Sequence, residues 1–272
     1  MKVRNPGLVH GEVDPAWNRR YPELAFAVDG VSLLMPYAEP YFVRTVRRAL
    51  DEHDAIDPEL RVAASTFCAQ ESSHQAQHRR FNDGLAAGRP GVARLERWID
   101  RTYGHLERRR STRFSLAFAA ASETIAFSLA RWADRHHHDL FDEADPLASG
   151  LVQWHLAEEV EHKSVAFDVH AAVDGSRTRY AVAAAATFVI LAWFTVLTIV
   201  TLLASTGRWR SPWCWLRLPR WAFDIAFTTL PDLVVSCLPG HHPDHLVDPP
   251  GLTAWLRSKD ATDGPASGPA PA

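Results

Sequence analysis

The chain has 272 residues, 47% hydrophobic and 22% charged, with a formal net charge of −3. That is apolar material enough for a sizeable core, and so small a charge predicts no nucleic-acid partner. The three cysteines, Cys68, Cys214 and Cys237, form no C-x-x-C pair, which argues against a thiolate zinc site and suits a reducing, cytoplasmic compartment.

Residues 1–28 carry Pro6, Gly7, Pro15 and Pro22 and read as an irregular arm, with no apolar run to make a signal peptide. From about 30 to 53, the spacing of Leu33, Leu34, Tyr37, Tyr41, Phe42 and Val46 predicts a helix, the first of a domain spanning 29–175. Pro40 directly follows Glu39, where a helix interior would lose ~3 kcal/mol. A kink that aims the Glu39 carboxylate is therefore expected. A second helix starts at the cap Asp57-Pro58-Glu59, runs to about Asn82 and stops at Gly84. Residues 84–110, with a short helical piece from Val92 to Tyr103, suit a long crossover. A third helix covers about 111–137, and a fourth runs from Asp145-Pro146 to Val173.

Two of these helices carry the same pattern. At 100° per residue His155, Glu159 and His162 fall within ~60° of one another, and Glu71, His74 and His78 likewise share a face. Glu-x-x-His on each of two helices, with a lone glutamate on each of the other two, is what a four-helix bundle needs to hold two metal ions. Glu39 and Glu123 are the lone candidates. Glu123 is the only acidic residue between Ser111 and Trp132, amid Ala, Phe and Leu. The alternative to metal is a buried network of His–Glu hydrogen bonds. His155 reads as a ligand, while His78 is either a ligand or a partner that orients one. Cys68 reads as a core residue and His136-His137-His138 as a solvated helix end. A set rich in carboxylate and imidazole suits iron, or manganese, better than structural zinc.

Residues 176–258 are of different composition. From Ala181 to Ala204 there are 24 residues without a charge, ~36 Å as a helix, enough for a hydrocarbon core of ~30 Å. Arg208, Arg210, Arg217 and Arg220 follow, interleaved with Trp209, Trp213, Trp215 and Trp221, a composition typical of a membrane–water interface. Residues 221–238 are apolar but broken by Asp224, Pro231 and Asp232, and suit an interfacial or re-entrant helix. Lipid contact is thus expected through residues 181–238, as a single-pass or re-entrant anchor. The alternative is a helix buried in the protein or in a homodimer contact. A short helix follows near Leu252 to Leu256, and residues 259–272 read as a disordered tail.

Three stretches carry a resemblance to known families: Phe67-x-x-Gln70-Glu71-x-x-His74-x-x-x-His78, Trp154-His155-x-Ala157-Glu158-Glu159-x-Glu161-His162-Lys163 with Ala166-Phe167-Asp168, and His242-Pro243-x-x-His245. Together they resemble the family of predicted metal-dependent hydrolases, over roughly Leu33 to Leu256, which implies a ferritin-like bundle. The order of acidic and imidazole residues is also similar to that of ferritin-like arylamine N-oxygenases, di-iron enzymes with an extra histidine. That resemblance implies Glu39, Glu71, His74, Glu123, His155, Glu159 and His162 as ligands to two metal ions. The resulting expectation is an all-α, ferritin-like four-helix bundle with a C-terminal hydrophobic, membrane-associating helical region. Its expected activity is O2-dependent oxidation of an apolar small molecule by a di-iron centre. Hydrolysis by a metal-bound water is the alternative, and a non-catalytic metal-binding protein the third reading.

Overall fold

The computed structural model describes residues 1–4, 6–8 and 11–262. Helices dominate the described residues from Pro22 onward, and no β-strand occurs among them. In chain order the helices are α1 (Pro22–Glu52), α2 (Pro58–Ala86), α3 (Pro90–Arg109), α4 (Thr112–Arg135) and α5 (His137–Phe141), then α6 (Pro146–His162), α7 (Val165–Val173), α8 (Arg177–Ser205), α9 (Pro212–Ser236) and α10 (Pro250–Thr262). Proline opens α1, α2, α3, α6 and α9, where its missing N–H has no intrahelical partner to lose. Asp57 and Asp145 each cap a helix by accepting two backbone N–H bonds.

Helices α1, α2, α4 and the α6–α7 pair pack around a core that includes Tyr41, Phe67, Phe118 and Trp154. The long crossover is α3, a full helix from Pro90 rather than the short piece expected from 92 to 103. The fourth bundle helix is interrupted at Lys163–Ser164, directly after His162. There Lys163 leaves the helix line to donate to Leu246 O and to Asp248, at 3.2 and 2.7 Å.

Differences at the other boundaries have local causes. The first helix begins at Pro22, six residues before the expected end of the arm, and stays helical through Pro36 and Pro40. Pro36 cannot donate to the carbonyl of Ser32, and Asn82 Nδ2 takes that acceptor instead at 2.8 Å. Gly84 does not stop α2. A Cβ there would stand 2.1 Å from Gly11 O, so glycine lets the N-terminal arm cross the helix. The arm is pinned further by Trp17, whose indole donates to buried Asp29 at 2.9 Å.

The apolar helix α8 lies along α1, α3 and α4. At Gly30 a Cβ would approach the Thr195 Cα to 2.8 Å, so this glycine sets the α1–α8 crossing. By length and composition α8 could cross a membrane, which makes it a possible membrane-associating segment. Helix α9 runs unbroken through Pro219 and Pro231. Its acidic residues face the bundle: Asp224 accepts from Trp132, and Asp232 from Ser128 and Arg131. Helix α10 reaches Thr262, and residues 263–272, most of the expected tail, lie outside the described residues.

Candidate metal centre

The seven acidic and imidazole side chains singled out in the sequence meet inside the bundle, all of them buried. Glu39 comes from α1, Glu71 and His74 from α2, Glu123 from α4, and His155, Glu159 and His162 from α6. One donor atom from each of Glu71, His74, Glu159 and His162 falls within 4.8 Å of the others, as do those of Glu39, His74 and His155. Glu71 Oε1 lies 2.8 Å from His162 Nδ1 and 3.5 Å from His74 Nδ1. Glu159 Oε1 is 3.7 Å from His74 Nδ1 and 3.0 Å from His155 Nε2. Glu123 joins through Oε2, 3.7 Å from His162 Nδ1, and Glu39 through Oε1, 3.9 Å from His155 Nδ1.

Many of these inward-facing atoms are buried without a hydrogen-bond partner. They include both oxygens of Glu39, Glu71 Oε1, Glu123 Oε2, Glu159 Oε2, and Nδ1 of His74 and of His162. Buried polar atoms left unpaired cost several kcal/mol in total, so a convergent set of them is a signature of a bound cation. The donor set fits a metal ion.

The outward nitrogens are all engaged. His74 donates from Nε2 to Glu158 at 2.9 Å, and His162 from Nε2 to Gln70 Oε1 at 3.1 Å. Each histidine is thereby fixed with its Nδ1 lone pair facing the cluster. The case of His155 follows from a longer chain. Asn82 donates through Nδ2 to Ser32 O, so its Oδ1 accepts from the Ser32 hydroxyl. Ser32 Oγ must then accept from His78 Nδ1 at 2.8 Å, which leaves His78 Nε2 to accept from His155 Nδ1 at 2.6 Å. His155 therefore turns Nε2 to the cluster. The two nitrogens of His78 are committed to Ser32 and His155.

Electrostatics divides the carboxyls. Burial pushes Glu39 up, helped by the Glu71 charge, and pushes Glu123 up beside Glu159 and Glu71. Burial opposes ionisation of Glu71 and Glu159 too, but the adjacent His162 and His74 imidazoles hold Glu71 well below the usual range. His155 does the same for Glu159. His74, despite burial, is raised by Glu158 and Glu71. Four carboxyls this close cannot all ionise unaided.

Sequence reasoning assigned no role to Gln70, Glu158, Glu161 and Arg4. Buried Arg4 binds Glu158 at 3.2 Å, Glu161 at 2.9 Å and Asp260 of α10 at 2.9 Å, tying both ends of the chain to the centre. A signal existed: Gln70 and Glu158 occupy the same place, one residue before the metal-facing glutamate, in each copy of the motif. Cys68 turns away, its Sγ near Val43 O at 3.9 Å. His137, His138 and Asp142 form a separate exposed group, and His242 pairs with Asp168 at 2.8 Å, away from the cluster residues.

Neither the curated proteins nor the solved structures contain a match to this chain. A family model described as predicted metal-dependent hydrolase matches residues 2–246, and the chain belongs to that family.

Proposed function

We propose that the cluster holds two divalent metal ions and that the protein is a metal-dependent hydrolase. The observation that carries the reading is the set of unpartnered donor atoms converging inside the bundle. Four carboxylates, fully ionised, carry about four negative charges, the charge that two divalent cations would neutralise. Glu39, Glu71, His74, Glu123, His155, Glu159 and His162 would be the ligands, and carboxylate with imidazole suits iron or manganese. A metal pair held there supplies a Lewis acid and lowers the pKa of a bound water enough for nucleophilic attack near neutral pH.

The chain's own contribution is orientation and exclusion of water. Glu158, Gln70 and His78 hold the three imidazoles in one tautomer each. Phe67 packs edge-on against His162 and Trp154 against His74, with ring centroids 5.1 and 4.8 Å apart. With such walls, an apolar small molecule is the substrate class that enters without leaving charge stranded.

Sequence reasoning placed oxidation first, and the family match puts hydrolysis ahead of it. A second reading, O2-dependent oxidation by an iron pair, is favoured by the donor set itself: seven oxygen and nitrogen ligands and no thiolate. Protein purified without oxygen, analysed for metal, and reloaded with manganese, zinc or iron distinguishes the two. Hydrolysis of neutral esters or amides under anaerobic conditions, abolished in Glu159→Ala, is the expected result. Turnover only with Fe(II) and O2, giving an oxidised product, would replace the first reading by the second. A wild-type protein that takes up no more metal than Glu159→Ala would end both.

A further inference from the structure

We propose that α8 and α9 together form an in-plane docking surface for an anionic lipid leaflet, so that the protein sits on a membrane face without crossing it. The inference is independent of the metal reading. It starts from how α8 is used. Its inner side is committed along the helix: Tyr180 bonds Thr124 at 2.8 Å, Thr195 abuts Gly30, Thr201 abuts Gly91, and Phe194 and Leu202 are buried. If α8 crossed a bilayer, α3 beside it would enter the hydrocarbon with Arg94, Arg97, Asp100 and Arg101 exposed. A charged side chain at mid-bilayer is strongly disfavoured. Spanning is therefore disfavoured despite the length of α8.

Its outer side is a separate surface. Val182, Val189, Trp193, Val196 and Val200 recur at three-, four- and seven-residue spacing and are all exposed, Trp193 to 59%. Helix α9 repeats this with Leu216, Phe223, Phe227, Leu230 and Val234, Phe227 being 71% exposed. The two helices are tied at both ends. One tie is the turn 206–211; the other is Arg177, which donates to Ser236 O and His241 O at 3.2 and 2.9 Å. Both also pack on α4, and α1 contacts both as well. An apolar face this long is unusual for a soluble surface.

Charge selects the occupant. Between residues 177 and 238 the only acidic residues are Asp232, turned to the bundle, and Asp224, half exposed but paired with Trp132 and His136. Arg208, Arg210 and Arg220 are exposed at the same end as Trp209, Trp213 and Trp215. Apolar stripes flanked by tryptophan and arginine match the acyl boundary and headgroups of an anionic leaflet.

Full-length, metal-loaded protein is sedimented with vesicles of phosphatidylcholine alone or mixed with phosphatidylglycerol. Expected is pelleting with the anionic vesicles, weakened by salt, and lost in Phe223→Asp/Phe227→Asp with unchanged metal content and melting temperature. Each of Arg208→Gln, Arg210→Gln and Arg220→Gln should weaken binding roughly five-fold, the equivalent of about 1 kcal/mol per arginine near the surface. Three results would overturn the inference. One is no pelleting with either vesicle. Another is membrane-bound protein that resists alkaline carbonate, which means a span. The last is a dimer in solution that Phe223→Asp/Phe227→Asp dissociates, which means that a second copy covers the face.

Discussion

His74 on α2 gives its outer proton to Glu158 on α6 across 2.9 Å, and the relationship has a mirror. His162 on α6 gives its outer proton to Gln70 on α2. Each helix thus orients the histidine of the other, using the residue just before its own inward-facing glutamate. Arg4 fixes Glu158 in turn.

Removing one support should loosen the metal without unfolding the bundle. In Glu158→Ala, His74 loses the acceptor that sets its tautomer. In Gln70→Ala, His162 loses its own. Each substitution is expected to lower metal affinity about 10- to 100-fold, the usual effect of losing a ligand's orienting partner. Competition titration against a chromophoric chelator measures it, with circular dichroism as the control for folding. Unchanged affinity in both variants would mean that the reciprocal bonds do nothing for the centre.

His78 and His155 separate a ligand from its support. His155→Ala removes a nitrogen that faces Glu159 at 3.0 Å and should cut the bound metal. His78→Gln keeps a group able to reach His155 and Ser32, and should leave the metal count unchanged with a modestly lower affinity. Metal analysis after gel filtration reads both. Equal loss of metal in the two variants would contradict the assignment.

Much of this was legible before any coordinates, because the i, i+3 and i+7 spacing of Glu71, His74 and His78 depends only on helix geometry. Glu123 was legible as a carboxyl stranded among apolar neighbours, and Glu39 only as a lone glutamate on the first helix. What the sequence hid was long-range. Nothing local predicts that Asn82 will satisfy the carbonyl freed by Pro36, within a helix that continues past Glu39 and Pro40. Gly84 looked like a stop because the arm that needs its missing Cβ lies over 70 residues away. Arg4, remote from both motifs in sequence, could not be linked to Glu158 without the fold.

Asp29 offers a test of pH dependence. Burial pushes its carboxyl well above the usual range, only partly offset by the Trp17 indole. The folded state therefore holds a proton that the unfolded chain releases near pH 4, and between the two values folding is less favourable as pH rises. Asp29→Asn keeps an acceptor for Trp17 and removes this dependence. Its melting temperature should exceed wild type by more at pH 8 than at pH 5. An equal difference at both would mean that Asp29 is not held protonated.

Stripping the metal should make the same argument on a larger scale. In the metal-free cluster Glu39 and Glu123 are raised by burial and by the neighbouring carboxylates, whereas Glu71 and Glu159 are depressed. The depressed pair contributes stability that is lost only in strong acid, below the ordinary glutamate range. The raised pair stabilises the fold while protonated and loses that contribution as pH climbs through its folded values. Chelator-treated protein should therefore melt lower at pH 8 than at pH 6, while metal-loaded protein changes little, because the cations balance the carboxylates. Added metal should restore stability in a concentration-dependent way, by about 4 kcal/mol at a thousand times its dissociation constant, and raise the melting temperature with it. Calorimetry with and without chelator at the two pH values gives the four melting temperatures. If chelation moves none of them, the converging donors are a hydrogen-bonded network and not a metal centre.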